Sequence, residues 1–208
     1  MIGNKIGHRL DSFLYKFLSK SFGERGNPNS FTLMGFFATL IASILIVKEF
    51  WVTAGFMIII SGLFDLFDGV VARKFGKVTS FGGFLDSVLD RYSDLFLLFA
   101  LMIYYLGKGD SSLVVLTSIV SIGTALIPYA RARAEVAQVP CNVGLMERAE
   151  RIILLSAGAL FNWMVPVLWI MAVLTHFTVL HRIYYVWKRL RSPLENENPK
   201  SQISSNYQ

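Results

Sequence analysis

Asp65, Asp68, Asp86 and Asp90 fall within residues 65–90 of a chain that is otherwise strongly apolar. Asp65 and Asp68 are three apart and Asp86 and Asp90 four apart, so each pair shares one face of a helix. Four carboxylates brought together cannot all stay ionised without positive charge, because like charges at that range disfavour one another. Protons, basic side chains or divalent cations would each relieve them. With no Cys or His nearby, an all-oxygen set selects hard ions, Mg2+ first and then Mn2+ or Ca2+. Two ions bridged by four carboxylates would leave room for phosphate oxygens. Arg73 adds a planar fork that suits a phosphate. Gly69, Gly82 and Gly83 remove side chains where a substrate would approach the backbone.

The elements that carry these acids belong in a membrane. Of 208 residues 54% are hydrophobic and 16% charged, with a mean hydropathy of +0.52. About 20 apolar residues cross a bilayer, and six such stretches occur, at 30–48, 51–72, 84–106, 112–133, 146–163 and 165–187. The expected fold is an all-α integral membrane protein: residues 1–26 as an amphipathic interfacial helix, 27–190 as a six-helix bundle, and 191–208 as a polar, disordered tail. In the first segment Ile2, Ile6, Leu10, Phe13, Leu14, Phe17 and Leu18 repeat at helical spacing among Lys5, Arg9, Lys16 and Lys20, which fits a helix lying on anionic lipid. No unbroken apolar core or cleavage site marks that segment as a signal peptide. Asn27-Pro28 reads as a turn, with Asn29 or Ser30 capping the first span.

Basic residues set the orientation. Arg73, Lys74, Lys77, Arg131, Arg133, Arg148, Arg151, Lys188, Arg189 and Arg191 flank one set of helix ends, and only Lys48 and Lys108 flank the other. Both termini and the acids are therefore expected on the cytoplasmic side of the cytoplasmic membrane. The net charge of +6 is an orientation signal, and no nucleic-acid partner is expected. A single cysteine, Cys141, excludes a disulfide framework. His176 and His181 are five apart, so they do not converge as ligands.

The series Asp65, Asp68, Gly69, Ala72, Arg73, Gly82, Asp86, Asp90 resembles the signature of the CDP-alcohol phosphotransferase (phosphatidyltransferase) family at all eight specified positions. A chance match at a given start is on the order of one in a billion on average residue usage. The six-span layout with an amphipathic N-terminal helix is also similar to this family. The resemblance implies transfer of a phosphatidyl group from CDP-diacylglycerol, or a CDP-archaeol-type ether lipid, to the hydroxyl of a polar acceptor, with release of CMP. It implies that Asp65, Asp68, Asp86 and Asp90 hold two divalent ions, Mg2+ or Mn2+, and that Asp90 is also the catalytic base. It places the CDP-lipid on Asn27, Pro28, Asn29, Ser30, Asp65, Asp68, Gly69, Arg73 and Thr79. Asp94 lies outside the signature and is expected as an outer-shell acid. The family also implies a homodimer.

Two further stretches, "YARARAE" at 129–135 and "VGLMERAER" at 143–151, resemble the phosphatidylinositol-phosphate and archaetidylinositol-phosphate synthase branch. There the acceptor is inositol phosphate, and the matching positions assign its phosphate to Arg131, Arg151 and Arg182. That branch often has lysine at position 131, but an arginine keeps the charge and can bind phosphate bidentately. Arg133 and Arg148 are expected to pair with Glu135, Glu147 and Glu150. Glycerol 3-phosphate is the alternative acceptor. Serine carries no phosphate for the arginines to meet. The reading from another class, a carboxylate-lined transporter, fits less well: such sites lie near the bilayer midplane, and these acids lie near helix ends.

Overall fold

A computed structural model describes residues 27–196. The interfacial helix expected over 1–26 and the stretch 197–208 lie outside the described residues. Among the described residues there are six α-helices and no strand: α1 (Pro28–Val47), α2 (Trp51–Lys74), α3 (Ser80–Gly107), α4 (Ser111–Val136), α5 (Arg148–Leu160) and α6 (Met164–Asn196). Helix α6 continues to Asn196, so the polar stretch expected to leave the bundle at 191 begins as helix.

The connections are three to five residues long, except for 137–147 between α4 and α5. Asn27, rather than Asn29 or Ser30, caps α1: its side chain accepts the Asn29 amide at 3.1 Å, with Pro28 in the first turn. Each of the first five helices then closes the same way. A residue in the left-handed region (Glu49, Gly76, Gly109, Gln138 or Asn162) lets the next amide reach the carbonyl five residues back. Only Gly76 and Gly109 are glycines, so three of the five stops were not written in the residue type.

Four helices are long and apolar enough to cross a bilayer: Pro28–Val47, Trp51–Lys74, Ser111–Val136 and the 164–191 part of α6. The other two expected spans differ for physical reasons. Helix α3 has 28 residues, but its first 15 carry Asp86, Asp90, Arg91 and Asp94. Helix α5 has 13 residues, about 20 Å of helix against a hydrocarbon core of about 30 Å. Both belong to the bundle by packing: α2 and α3 lie on α1, α5 lies on α2 and α6, and α4 lies between α3 and α6. The core is a continuous cluster that includes Ile46, Ile58, Leu98, Leu101, Leu168 and Met171.

Outward faces are apolar as well, with Phe37 and Ile44 on α1 and Trp169, Val173 and Phe177 on α6 all exposed. A bundle apolar on both its inner and outer surface is what lipid requires. Inside, small and hydroxyl residues let helices approach: the Thr39 and Ser61 hydroxyls meet at 2.6 Å between α1 and α2. The alternation of helix direction collects the starts of α1, α3 and α5 and the ends of α2, α4 and α6 at one end of the bundle. All four aspartates and, among the described residues, nearly all the basic ones sit there. At the other end Lys108 pairs with Glu49 at 2.7 Å, and Asp110 caps α4. The Ser112 hydroxyl and the Leu113 amide hold the Asp110 carboxyl below its usual range.

Candidate active site

The first part of the site is a carboxylate corner where the end of α2 meets the start of α3. Thr79 caps α3 by accepting the Gly82 amide at 3.0 Å. That short turn brings Asp86 beside Asp65 and Asp68, and one oxygen from each of the three carboxylates lies within 4.8 Å of the others. Asp68 is buried, and the Thr32 hydroxyl on α1 donates to it at 2.7 Å. Oδ1 of Asp86 is buried with no hydrogen-bond partner. A buried, unsatisfied carboxylate oxygen in an all-oxygen cluster fits a hard divalent cation.

Asp90 is outside that trio but lies against it, within hydrogen-bond reach of Asp86 and sharing one guanidinium with Asp65. Its Oδ1 accepts Arg148 Nη1 at 2.6 Å, and the same nitrogen also pairs with Asp65. Arg148 was expected to pair with glutamates. The crowded aspartates form the stronger negative centre, and the guanidinium goes to them. Glu135 pairs instead with Arg131, at 3.0 Å.

A hollow of about 190 Å³ opens on one side of the trio. Pro28, Asn29, Asp68, Gly69, Arg73 and Thr79, six of the residues that the resemblance assigns to the CDP-lipid, line it together with Thr32, Lys77 and Gly82. Asn27, Ser30 and Asp65 do not line it. Asn27 is spent on the cap of α1, and Asp65 faces Arg148. Thr79 also has a local role as the cap of α3. Glycine serves two purposes here. A Cβ on Gly69 would lie 3.0 Å from Arg73 Nη1, so the bare backbone lets that guanidinium fold over the helix. A Cβ on Gly82 would lie 2.9 Å from Thr79 Oγ1 and 3.1 Å from Asn29 Oδ1, within the hollow.

On the other side of Asp90 lies a second cavity of about 330 Å³, whose lining includes Asp90, Arg131, Arg148, Arg151 and Arg182. The three arginines selected from sequence thus share one cavity with Asp90, although they come from α4, α5 and α6. Their surroundings differ. Arg131 is exposed. Arg151 is 4% exposed; it meets Asp94 at 2.5 Å and the Met146 carbonyl at 3.3 Å, and its Nε has no partner. Asp94 is therefore the partner of Arg151 and not of the carboxylate trio.

Arg182, also buried, donates to the Val143 carbonyl at 2.8 Å and the Ile127 carbonyl at 2.6 Å. It pins the connection between α4 and α5 to α6. Thr178 supports the same connection by accepting the Met146 amide at 3.2 Å. His176 bonds within its own helix, to the Ala172 carbonyl at 3.0 Å, and takes no part in the site.

Sequence reasoning missed Thr32 and the place of Arg148. Thr32 follows Pro28 by one turn, so its presence at the site was available from periodicity once Asn29 had been placed there. Arg148 gave no such signal, because nothing in its local spacing distinguishes Asp65 and Asp90 from the neighbouring glutamates.

Residues 26–181 match the family model for CDP-alcohol phosphatidyltransferase. The chain is 37% identical over 164 residues to the archaetidylinositol phosphate synthase of Pyrococcus horikoshii, covering 78% of this chain and 85% of that protein. It is similar in fold to the crystal structure of Mycobacterium tuberculosis phosphatidylinositol phosphate synthase with CDP-DAG bound, at TM-score 0.74 and 27% identity, covering 86% of this chain and 94% of that one. The same enzyme in complex with manganese and citrate matches at TM-score 0.70 and 26% identity, covering 85% of this chain and 88% of that one.

Proposed function

The chain belongs to the CDP-alcohol phosphatidyltransferase family, and on that premise we propose that it transfers the phosphatidyl or archaetidyl group of a CDP-linked lipid to a hydroxyl of inositol phosphate. The observation that carries the choice of acceptor is the single cavity shared by Asp90, Arg131 and Arg151. An acceptor bearing a phosphate would place that phosphate on the arginines and a hydroxyl at Asp90. The archaetidylinositol phosphate synthase similar to this chain supports the same choice.

In this reading Asp65, Asp68, Asp86 and Asp90 hold two divalent cations, Mg2+ or Mn2+. Bound there, the cations would neutralise the donor's diphosphate and stabilise the departing CMP. The hollow beside Asp68 takes the CDP head group, with Arg73 on the diphosphate and Asn29 and Thr79 towards the nucleotide. Asp90 accepts the proton of the attacking hydroxyl. The new oxygen–phosphorus bond forms at the lipid-bearing phosphorus as its bond to CMP breaks. Positioning and charge stabilisation carry most of the rate. Basic residues gathered at the site end of the bundle support a cytoplasmic active site.

Release of CMP from CDP-diacylglycerol, in Mg2+ and with purified protein, tests the reading. Inositol phosphate, glycerol 3-phosphate, inositol and serine are compared as acceptors. Inositol phosphate is expected to give the highest kcat/KM. Glycerol 3-phosphate in that place would replace the acceptor, and no CMP with any acceptor would sink the transferase.

A further inference from the structure

Arg148 stands where the two halves of the site meet. One nitrogen, Nη1, bridges Asp65 on α2 and Asp90 on α3, while the residue also lines the arginine cavity. The side chain is mostly buried, and its Nε has no hydrogen-bond partner. Such a group is held by charge more than by a complete set of hydrogen bonds. Arg148 is also the first residue of α5, so its long side chain can turn without moving a helix.

We propose that Arg148 is a positioning residue that couples cation binding to acceptor binding. Its guanidinium neutralises Asp65 and Asp90 until a divalent cation takes their oxygens, and it then turns into the adjoining cavity to meet an anion. This rests on the reading above only in taking a divalent cation and a phosphate as the ligands.

Two arguments carry it. A guanidinium and a divalent cation on the same two carboxylates would face each other at repulsive range in a site screened from water. Two divalent cations would also satisfy the formal charge of all four aspartates and leave Arg148 without its two aspartate partners. The cavity already holds Arg131 and Arg151, paired with Glu135 and Asp94, together with Arg91 and Arg182, and beyond Asp90 its lining has one acid, Glu147. A further released cation makes an anion the natural occupant. Cation and acceptor should therefore bind with positive coupling, and the coupling must be reciprocal.

Binding of Mn2+ to the full chain in zwitterionic nanodiscs can be followed by the EPR signal of free Mn2+. Inorganic phosphate serves as the anion probe, and empty nanodiscs correct for Mn2+–phosphate association. Wild type should bind Mn2+ roughly fivefold more tightly with phosphate present. Arg148→Gln should bind Mn2+ alone roughly tenfold more tightly than wild type, because the competing cation is gone, and should lose the phosphate effect. Arg148→Lys keeps the charge and should retain part of the coupling, which guards against a Gln variant that folds poorly. A residue that merely tethers α5 would lower Tm on substitution and leave the coupling intact.

Wild-type Mn2+ affinity and wild-type phosphate effect in both variants would overturn the proposal. So would a wild type whose Mn2+ binding ignores phosphate. CMP release from the same preparation separates the readings: absent coupling with intact turnover removes only the role of Arg148. No bound Mn2+ and no CMP removes both.

Discussion

The carboxylate corner and the arginine cavity adjoin at Asp90, and their charges are satisfied to very different degrees. In the corner three carboxylates crowd together with one hydroxyl from Thr32, one shared guanidinium and a buried oxygen with no partner. In the cavity three of the arginines have partners outside the corner: Arg131 has Glu135, Arg151 has Asp94, and Arg182 has two backbone carbonyls. An under-compensated cluster is poised to take cations. A largely compensated one positions its charges and gains less from each new contact. Substitutions in the corner should therefore act on whether the reaction occurs. Those in the cavity should divide between acceptor affinity and stability, according to how deeply each arginine is buried.

The largest effect is expected at Asp90, the residue both regions share. Asp90→Asn removes the proposed base and half of Arg148's acidic partnership while leaving the Asp65, Asp68 and Asp86 trio in place. CMP release should fall by roughly a thousandfold, with CDP-lipid affinity by equilibrium binding nearly unchanged. Turnover close to wild type would show that Asp90 only holds Arg148 and belongs to the cavity alone.

Next comes the buried Arg151–Asp94 pair. Arg151→Met strands a buried carboxylate and should destabilise the protein by about 3–5 kcal/mol. Acceptor affinity cannot be judged on that background alone. The double variant Arg151→Met, Asp94→Leu should restore the thermal midpoint, because an apolar pair of similar volume replaces a buried ion pair at little or no cost. The KM for inositol phosphate should nevertheless stay raised by roughly thirtyfold, the scale of one lost charge-assisted hydrogen bond. If KM returned to wild type together with stability, Arg151 would serve the fold and not the acceptor.

The two regions also differ in how far they could be read from sequence. The corner's acids lie within residues 65–90, and helical periodicity with one short turn is enough to bring them together. The cavity draws on Arg131, Arg148, Arg151 and Arg182 from three helices, and its assembly depends on packing that no local pattern encodes. Resemblance to a family branch placed Arg131, Arg151 and Arg182 at one site, but it could not say which partner each would have. Arg182 was chosen for a phosphate, and the structure gives it two backbone carbonyls. Arg148 was assigned to glutamates, and tertiary electrostatics sent it to Asp65 and Asp90. The helices were legible from their apolar runs except where function interrupts them. Charges in α3 and the shortness of α5 both occur where the site is built.

Gly82→Ala tests the hollow without touching a charge. The added methyl would crowd Thr79 Oγ1 and Asn29 Oδ1 at 2.9 Å and 3.1 Å. Those are side-chain atoms that can shift, so the cost should be about 1–2 kcal/mol, felt as roughly a tenfold rise in KM for the CDP-lipid. KM for the acceptor should not move, since Gly82 lines the hollow beside Asp68 and not the cavity beyond Asp90. Equal changes in both constants would mean that the two regions respond as one.

Arg131→Ala should give the smallest effect, and it separates a lost surface ion pair from a lost acceptor contact. Its ion pair with Glu135 is exposed and one helical turn long, worth about 0.3–0.5 kcal/mol, so the thermal midpoint should hardly change. A water-exposed arginine contributes less to a bound phosphate than Arg151 does, and KM for inositol phosphate should rise by about fivefold with kcat unchanged. Glu135→Gln supplies the control. It frees the Arg131 guanidinium from its carboxylate, so KM should fall slightly if Arg131 reaches the acceptor. If both variants leave KM at the wild-type value, Arg131 is an interfacial anchor. The acceptor's phosphate would then rest on Arg151, with Arg148 as the second contact.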